Sequence, residues 1–273
     1  MARAVQHLQS LPVAPRLYAF TSLWRFHLTT SLAGTRVRPM PLEIKTAQVD
    51  PALNAAAPAK FATPLADGLK RKRLQTAVKR AFDFVAAALG LIVLAPVFAA
   101  AALVIRLTSP GPVFFCQPRE GYRGRQFVIW KFRSMHVRHD DATTAAQRTA
   151  AALGKLIKVE NDPRVTVVGR WLRATSVDEL PQLFNVLKGE MSLIGPRPLL
   201  AFMLEPYPEF RRTRALVRPG ITGLWQIRDR ANNTSALSMM SHDLEYIARF
   251  SLGLDVKILG RTVGVVFTGK GAC

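Results

Sequence analysis

The sequence predicts an α+β protein, mostly helical: one N-terminal re-entrant membrane helix, then a cytoplasm-facing catalytic-sized domain with a small β-hairpin. Three observations predict this. Residues 81–105 form one apolar run whose single charge is Asp83. Two short apolar stretches flank Glu120-Gly121-Tyr122-Arg123-Gly124 and read as paired strands. Elsewhere apolar residues recur at helical spacing between proline and glycine punctuation.

The chain of 273 residues is long enough for one domain with a sizeable core plus a tail. Residues 1–42 contain no Asp or Glu and carry five arginines. They lack the apolar core and cleavage site of a signal peptide. Residues 50–66 are rich in Ala and Pro and read as a linker. The expected division is a basic, disordered tail over residues 1–69 and a folded domain over residues 70–273. The net charge of +20, from 38 Lys and Arg against 18 Asp and Glu, asks for an anionic partner: nucleic acid, a membrane surface or a phosphorylated substrate. Cys116 and Cys273 make neither a disulfide framework nor a metal motif, and the five histidines form no zinc pattern.

A basic cluster, Lys70 to Arg73 with Lys79 and Arg80, leads into the apolar run. As one helix the run would measure about 37 Å, against a hydrocarbon core of roughly 30 Å. Pro96 lies near its middle and kinks it. Basic residues flank both ends, with Arg106, Arg119, Arg123 and Arg125 on the far side. Positive charge favours the cytoplasmic face. A bent helix over about residues 79–106 that enters and leaves by one face keeps both flanks inside. Asp83 near the entrance has Lys79 or Arg80 as a partner, which lowers its cost there.

After the turn Ser109-Pro110-Gly111-Pro112, the hairpin joins Val113-Phe114-Phe115 to Phe127-Val128-Ile129-Trp130. Lys131 and Arg133, two apart, share a strand face that is either solvated or phosphate-facing. Residues 138–160 read as a polar loop or loosely held helix. Asn161 to Thr166 reads as a turn, and Leu199 to Arg214 as helix broken at Pro206 and Pro208. Arg218-Pro219-Gly220-Ile221-Thr222-Gly223 reads as a loop whose glycines admit either a ligand or a tight turn. Two amphipathic helices follow. Ser238 to Phe250 presents Leu244, Ile247 and Ala248. Asp255 to Phe267 presents Val256, Leu259, Val263 and Val266, and suits a membrane surface.

The stretch GRWLRATSVDELPQLFNVLKGEMSLIGPRP, from Gly169, carries the chemistry. It puts the adjacent carboxylates Asp178 and Glu179 at a predicted helix start, with Ser176 at the spacing of a capping box and Gly189 as the stop. Arg170, Arg173 and Arg197 surround the pair, and guanidinium forks suit phosphate. A carboxylate that attacks phosphorus needs such neutralising neighbours. The same acids are also explained by capping and the helix dipole alone.

Six motifs in order settle between these readings: KRAFD, SPGPVFF, KFRSM, the stretch NDPRVTVVGRWLRATSVDELPQLFNVLKGEMSLIGPRP, RPGITGLWQI and the ending GKGAC. From about Lys79 to the C-terminus the chain resembles the bacterial sugar transferases, the monotopic phosphoglycosyl transferases that initiate exopolysaccharide and glycoconjugate assembly. The resemblance implies an enzyme that moves a sugar-1-phosphate from a UDP-sugar to a polyprenyl (undecaprenyl) phosphate in the bacterial inner membrane, on its cytoplasmic side, with release of UMP. It makes Asp178 the nucleophile and gives Glu179, with Asp178, to Mg²⁺. Arg173 and Arg197 match family arginines near the phosphates, and Arg230 matches a basic residue near the nucleotide. Lys131, Arg133, Arg218 and Gln226 complete the expected substrate-binding set. Two departures stand out: Arg228-Asp229-Arg230 replaces the family's Asn/Ser-Gly-Arg, and Ala95-Pro96 replaces its Ser-Pro helix break. The competing reading is a membrane-tethered basic binding or scaffold protein without catalysis. Nucleic acid is not an expected partner, because aromatics are only 8% and do not interleave with the basic residues.

Overall fold

The computed structural model describes residues 59–136, 162–229 and 236–268. All belong to one of two compact units into which the chain divides, residues 50–273. The expected loop over residues 138–160 and Arg230 lie outside the described residues.

The first helix, α1 (Ala59–Arg71), occupies part of the stretch read as linker and tail. That reading is corrected: Leu65 and Leu69 pack on the core cluster around Tyr246 and Phe250, and this burial supports a helix that composition alone does not suggest. Helix α2 (Arg73–Val93) and α3 (Ala95–Thr108) then form a pair bent by 60°. The bend at Leu94 confirms the kink assigned to Pro96, but helix extends beyond residues 79–106 at both ends. Pro96 sits in the first turn of α3, where its missing N–H would have had no helical partner. Across the bend Leu94 N still donates to Gly90 O (2.9 Å) and Phe98 N to Leu94 O (2.9 Å). The break is therefore made without the hydroxyl that Ala95 lacks. Among the described residues no single helix is long and apolar enough to cross a membrane, whereas the bent pair together has the length and apolar composition for it. Phe82, Leu89, Ile92, Val93, Leu103 and Leu107 on this pair are exposed.

The hairpin is as expected, with longer strands. β1 (Phe114–Glu120) pairs antiparallel with β2 (Gln126–Phe132), from Phe114 opposite Phe132 to Glu120 opposite Gln126. Helix α4 (Val167–Ala174) is capped by Thr166, whose Oγ1 accepts from Gly169 N at 2.8 Å. A 3₁₀ turn (Val177–Glu179) leads to α5 (Gln182–Lys188), which ends at Gly189 with φ 81°. β3 (Ser192–Ile194), α6 (Ala201–Leu204) and α7 (Pro208–Arg214) follow, with the break at Pro206 and Pro208 as expected.

The Arg218 to Gly223 stretch is not simply a loop. Gly220 to Thr222 is a strand, β4, parallel to β3, pairing Ser192 with Gly220 and Ile194 with Thr222. Its glycines serve another backbone: a Cβ at Gly220 would lie 2.1 Å from Gly195 N, and one at Gly223 would lie 2.2 Å from Gly195 O. α8 (Leu224–Arg228), α9 (Ala236–Ala248) and α10 (Leu252–Thr268) complete the described chain. The α9 region buries the expected Ile247 together with Met239, Met240, Asp243, Tyr246 and Phe250, while the expected Leu244 and Ala248 are half-buried. On α10, Ile258 is buried while Val256 and Val263 are exposed.

Two core clusters hold the segment that carries the carboxylate pair. Leu172 of α4 packs with Ala101 and Ile105 of α3 and Phe132 of β2. Leu183 and Val186 of α5 pack with Phe127 and Ile129 of β2 and Ala87 of α2. The turn between α4 and α5 is thus pinned at both ends to one hairpin strand and the bent helix pair.

Candidate active site

The capping box does not form. Ser176 lies in the left-handed region (φ 57°) with no side-chain cap, so the chain turns sharply just before Val177. Such a conformation is strained for a residue with a Cβ and persists only where the surroundings hold it. Its effect is to place Asp178 and Glu179 on a tight 3₁₀ turn instead of in the first turn of a long helix. Both are buried, at 8% exposure each.

Their surroundings differ. Lys131 Nζ donates to Glu179 Oε1 at 2.7 Å, and Arg197 Nη2 reaches the same oxygen at 3.4 Å. Among the described residues no hydrogen bond or ion pair engages the Asp178 carboxylate. Burial, together with the adjacent Glu179 charge, pushes the Asp178 carboxyl up to about 6, and Lys131, Arg173 and Arg197 pull it back. Asp178 therefore remains ionised at neutral pH without being occupied by a protein cation. That is the state a carboxylate nucleophile requires.

The cations arrive from separate elements. Lys131 closes β2. Arg173, in the last turn of α4, is held by Nε to Ser134 Oγ at 2.9 Å. Ser134 O in turn accepts from Thr166 N (3.1 Å), and Gly169 packs so closely there that a Cβ would lie 2.0 Å from that oxygen. Arg197 follows β3, and its carbonyl accepts a short hydrogen bond from Arg214, which pairs with Asp243 at 3.2 Å. Arg214 and Asp243 are buried, and burial pushes Asp243 up to about 6 despite that partner.

Several expected ligands stand elsewhere. Arg133 is buried and donates to Ser109 O (2.7 Å), Ser109 Oγ (2.9 Å) and Pro110 O (2.5 Å), so it braces the turn after α3. Its face is neither solvated nor shared with the carboxylate pair. Arg218 Nε donates to Gly189 O (2.8 Å) and its guanidinium lies over Tyr122. Gln226 is buried in α8 beside Gly223, and neither its amide oxygen nor its amide nitrogen has a hydrogen-bond partner among the described residues. Arg170 is exposed. Asp83 is buried, accepts from Leu193 N at 3.1 Å and lies 3.9 Å from Lys79, the partner expected for it.

Sequence reasoning missed Arg119, counting it only as part of the basic flank. It lies in β1, and burial with the Arg197 charge lowers its pKa to about 10, while Glu179 opposes this. Its signal was an arginine inside a strand, which position along the chain could not connect to Glu179. Asn185 was missed too. Fully buried, it accepts from Trp130 N (3.1 Å) and donates to Val128 O (2.7 Å) and Glu190 Oε2 (2.6 Å), fastening α5 to the outer edge of β2.

The sequence profile of the bacterial sugar transferases matches residues 74–269. The chain belongs to the bacterial sugar transferase family. It is 44% identical over 199 residues to an undecaprenyl-phosphate glucose phosphotransferase of Komagataeibacter xylinus, covering 68% of this chain and 35% of that one. It is 45% identical to a UDP-glucose:undecaprenyl-phosphate glucose-1-phosphate transferase of Caulobacter vibrioides, covering 71% of each. It is 37% identical to the exopolysaccharide production protein ExoY of Rhizobium meliloti, covering 71% of this chain and 87% of that one. The match to this sugar transferase thus spans less than half the length of several curated relatives.

Proposed function

We propose that this chain transfers a sugar-1-phosphate from a UDP-sugar to undecaprenyl phosphate, in the first membrane step of exopolysaccharide or glycoconjugate synthesis. The carrying observation is the asymmetry of the acid pair: Glu179 is held by Lys131 and Arg197, while Asp178 is buried, adjacent and unengaged. The names of the related transferases support the donor and acceptor classes.

In this reading an Asp178 oxygen attacks the β-phosphorus of the donor. The bond to the α-phosphate oxygen breaks, and UMP leaves with the electron pair. The acceptor phosphate then attacks the aspartyl phosphosugar, and the Asp178 carboxylate is the leaving group. Arg173 and Arg197 neutralise the phosphates so that an anionic nucleophile can approach. Lys131 holds Glu179 in place and lowers the charge repulsion between the two acids.

Asp178 and Glu179 also suit Mg²⁺. The ion takes one or two carboxylates along with water and phosphate oxygens, and this pair offers oxygen donors only. Among the described residues no cluster of three or more metal-ligating side chains exists, so substrate phosphates would supply the rest of the shell. When bound, the ion stabilises charge on the transferring and leaving phosphates.

The bent α2–α3 pair is the membrane element, re-entrant from the cytoplasmic side of the bacterial inner membrane. Its exposed apolar side chains then face lipid, and Val256 and Val263 of α10 lie at the surface. Reporters fused before Lys70 and after Cys273 should both report the cytoplasm; opposite sides would refute re-entry.

The deciding experiment uses detergent-purified protein with Mg²⁺ and a panel of UDP-sugars. A stoichiometric UMP burst without acceptor, turnover with undecaprenyl phosphate, and loss of both in Asp178→Asn are expected. UMP release surviving Asp178→Asn would show the nucleophile to be another group.

A further inference from the structure

The buried and half-buried arginines of this chain are almost all occupied. Arg80 donates to Val186 O (2.6 Å) and Leu187 O (2.9 Å) at the end of α5. Arg211 clasps Glu120, with both oxygens 2.8 Å from Nε. Arg133, Arg214 and Arg218 are spent on carbonyls and on Asp243, as described above.

Arg119 is different. Its Nε is enclosed without a partner, as are those of Arg133 and Arg214, but its Nη2 donates only to the neutral amide oxygen of Gln117, at 2.7 Å, where those two bond backbone carbonyls. Among the described residues no carboxylate pairs with it. A guanidinium carries five donors and a fixed charge, and enclosing one without a counter-anion is costly.

Its position says which anion is missing. Arg119, Gln117 and Phe115 alternate on one face of β1, opposite Phe127, Ile129 and Lys131 of β2. Phe127 and Ile129 pack on α5, so this is the hairpin face turned toward the segment bearing the acid pair. The next residue, Glu120, donates its N–H to Leu199 O (3.1 Å), two residues beyond Arg197. The charges felt by Arg119 are those of Arg197 and Glu179.

We infer that Arg119 is a substrate ligand of the active site, binding a phosphate oxygen beside Arg197. The inference rests on the transfer reaction proposed above and adds a residue to it. Because Arg119 shares its hairpin face with Lys131, which holds Glu179 and not Asp178, the phosphate it meets is one that departs from or attacks the transferring phosphorus. Two sources share this chemistry: the α-phosphate of the donor, which leaves as UMP, and the phosphate of the lipid acceptor.

The test compares wild type, Arg119→Gln, Arg119→Lys and Gln117→Ala as full chains in detergent. Arg119→Gln should slow the acceptor-free UMP burst at least tenfold if the donor phosphate is the ligand. If the lipid phosphate is the ligand, the burst should be intact and KM for undecaprenyl phosphate at least tenfold higher. Arg119→Lys should restore part of either loss, and Gln117→Ala should keep most of the activity. A separate readout needs no turnover: UMP or inorganic phosphate should raise the melting temperature of wild type more than that of Arg119→Gln. The inference falls if burst, KM and ligand-induced melting shift all match wild type within twofold. It falls equally if Gln117→Ala reproduces the whole defect, since Arg119 would then only brace the hairpin. A wild type that releases no UMP from any donor would sink the proposed reaction instead, and the melting shifts alone would decide Arg119.

Discussion

Asn185 offers the most direct test of how the fold builds the site. In a two-stranded hairpin each strand has an outer edge of unpaired N–H and C=O groups, which must be covered or solvated. Asn185 covers that edge of β2 by bonding Trp130 N and Val128 O while its amide also reaches Glu190. It is fully buried. Asn185→Ala removes three hydrogen bonds and strands the groups they satisfied, each worth about 1–3 kcal/mol when left buried. Partial relaxation and water entry reduce the sum, so a loss of roughly 2–4 kcal/mol is expected. At about 2–4 °C per kcal/mol, melting should fall by roughly 5–15 °C. Lys131 lies one residue beyond Trp130, so its 2.7 Å contact to Glu179 should loosen and activity per folded molecule should drop. Asn185→Asp separates the roles of the two amide atoms. It keeps an acceptor for Trp130 N but faces Val128 O and Glu190 with a carboxylate, and should be worse than Ala at neutral pH. Burial raises that carboxyl above the ordinary value of about 3.9, so the folded state binds its proton more tightly. Stability of this variant should therefore increase as pH falls through the raised pKa. Thermal and denaturant unfolding in one detergent at several pH values measure this. Asn185→Ala within 1 kcal/mol of wild type, on a scale of about that size for a single hydrogen bond, would refute the reasoning.

Further outcomes follow from the acid pair and the glycines. Asp178→Asn should lower single-turnover UMP release by about a thousandfold or more, as expected for a lost covalent nucleophile. Glu179→Gln should leave Asp178 easier to ionise, because a neighbouring negative charge is gone; titration of the two variants and wild type by NMR reads this. In metal-free protein the Asp178 carboxyl should titrate near 6, and Mg²⁺ should move it down, since a cation favours the charged form. No movement would remove Asp178 from the metal site. Gly220→Ala would place a Cβ 2.1 Å from Gly195 N, so the β3–β4 pairing should break and the protein should melt far lower or fail to accumulate. Near-normal melting of that variant would show that the two strands separate readily.

The sequence alone determined the carriers of local information. Pro96 bent the apolar run, Gly189 ended the helix after the acid pair, and the turn residues around Gly121 separated two strands, because each acts through its own backbone torsions. The adjacency of Asp178 and Glu179 and the arginines Arg173 and Arg197 near them in sequence were also plain, and the motifs around them carry the expectation of phosphate chemistry. Only the tertiary structure decided which cations serve the pair. Lys131 reaches Glu179 from 48 positions away, while Arg133, two residues on, is consumed by Ser109 and Pro110. It also turned Gly220 from a loop into a strand, pressed Gly220 and Gly223 onto Gly195, and gave Ser176 a left-handed turn where spacing implied a cap. The reason is common to all of these: a side chain's charge and hydrogen-bonding capacity are written in the sequence, but its partner is fixed by which distant backbone the core clusters bring beside it.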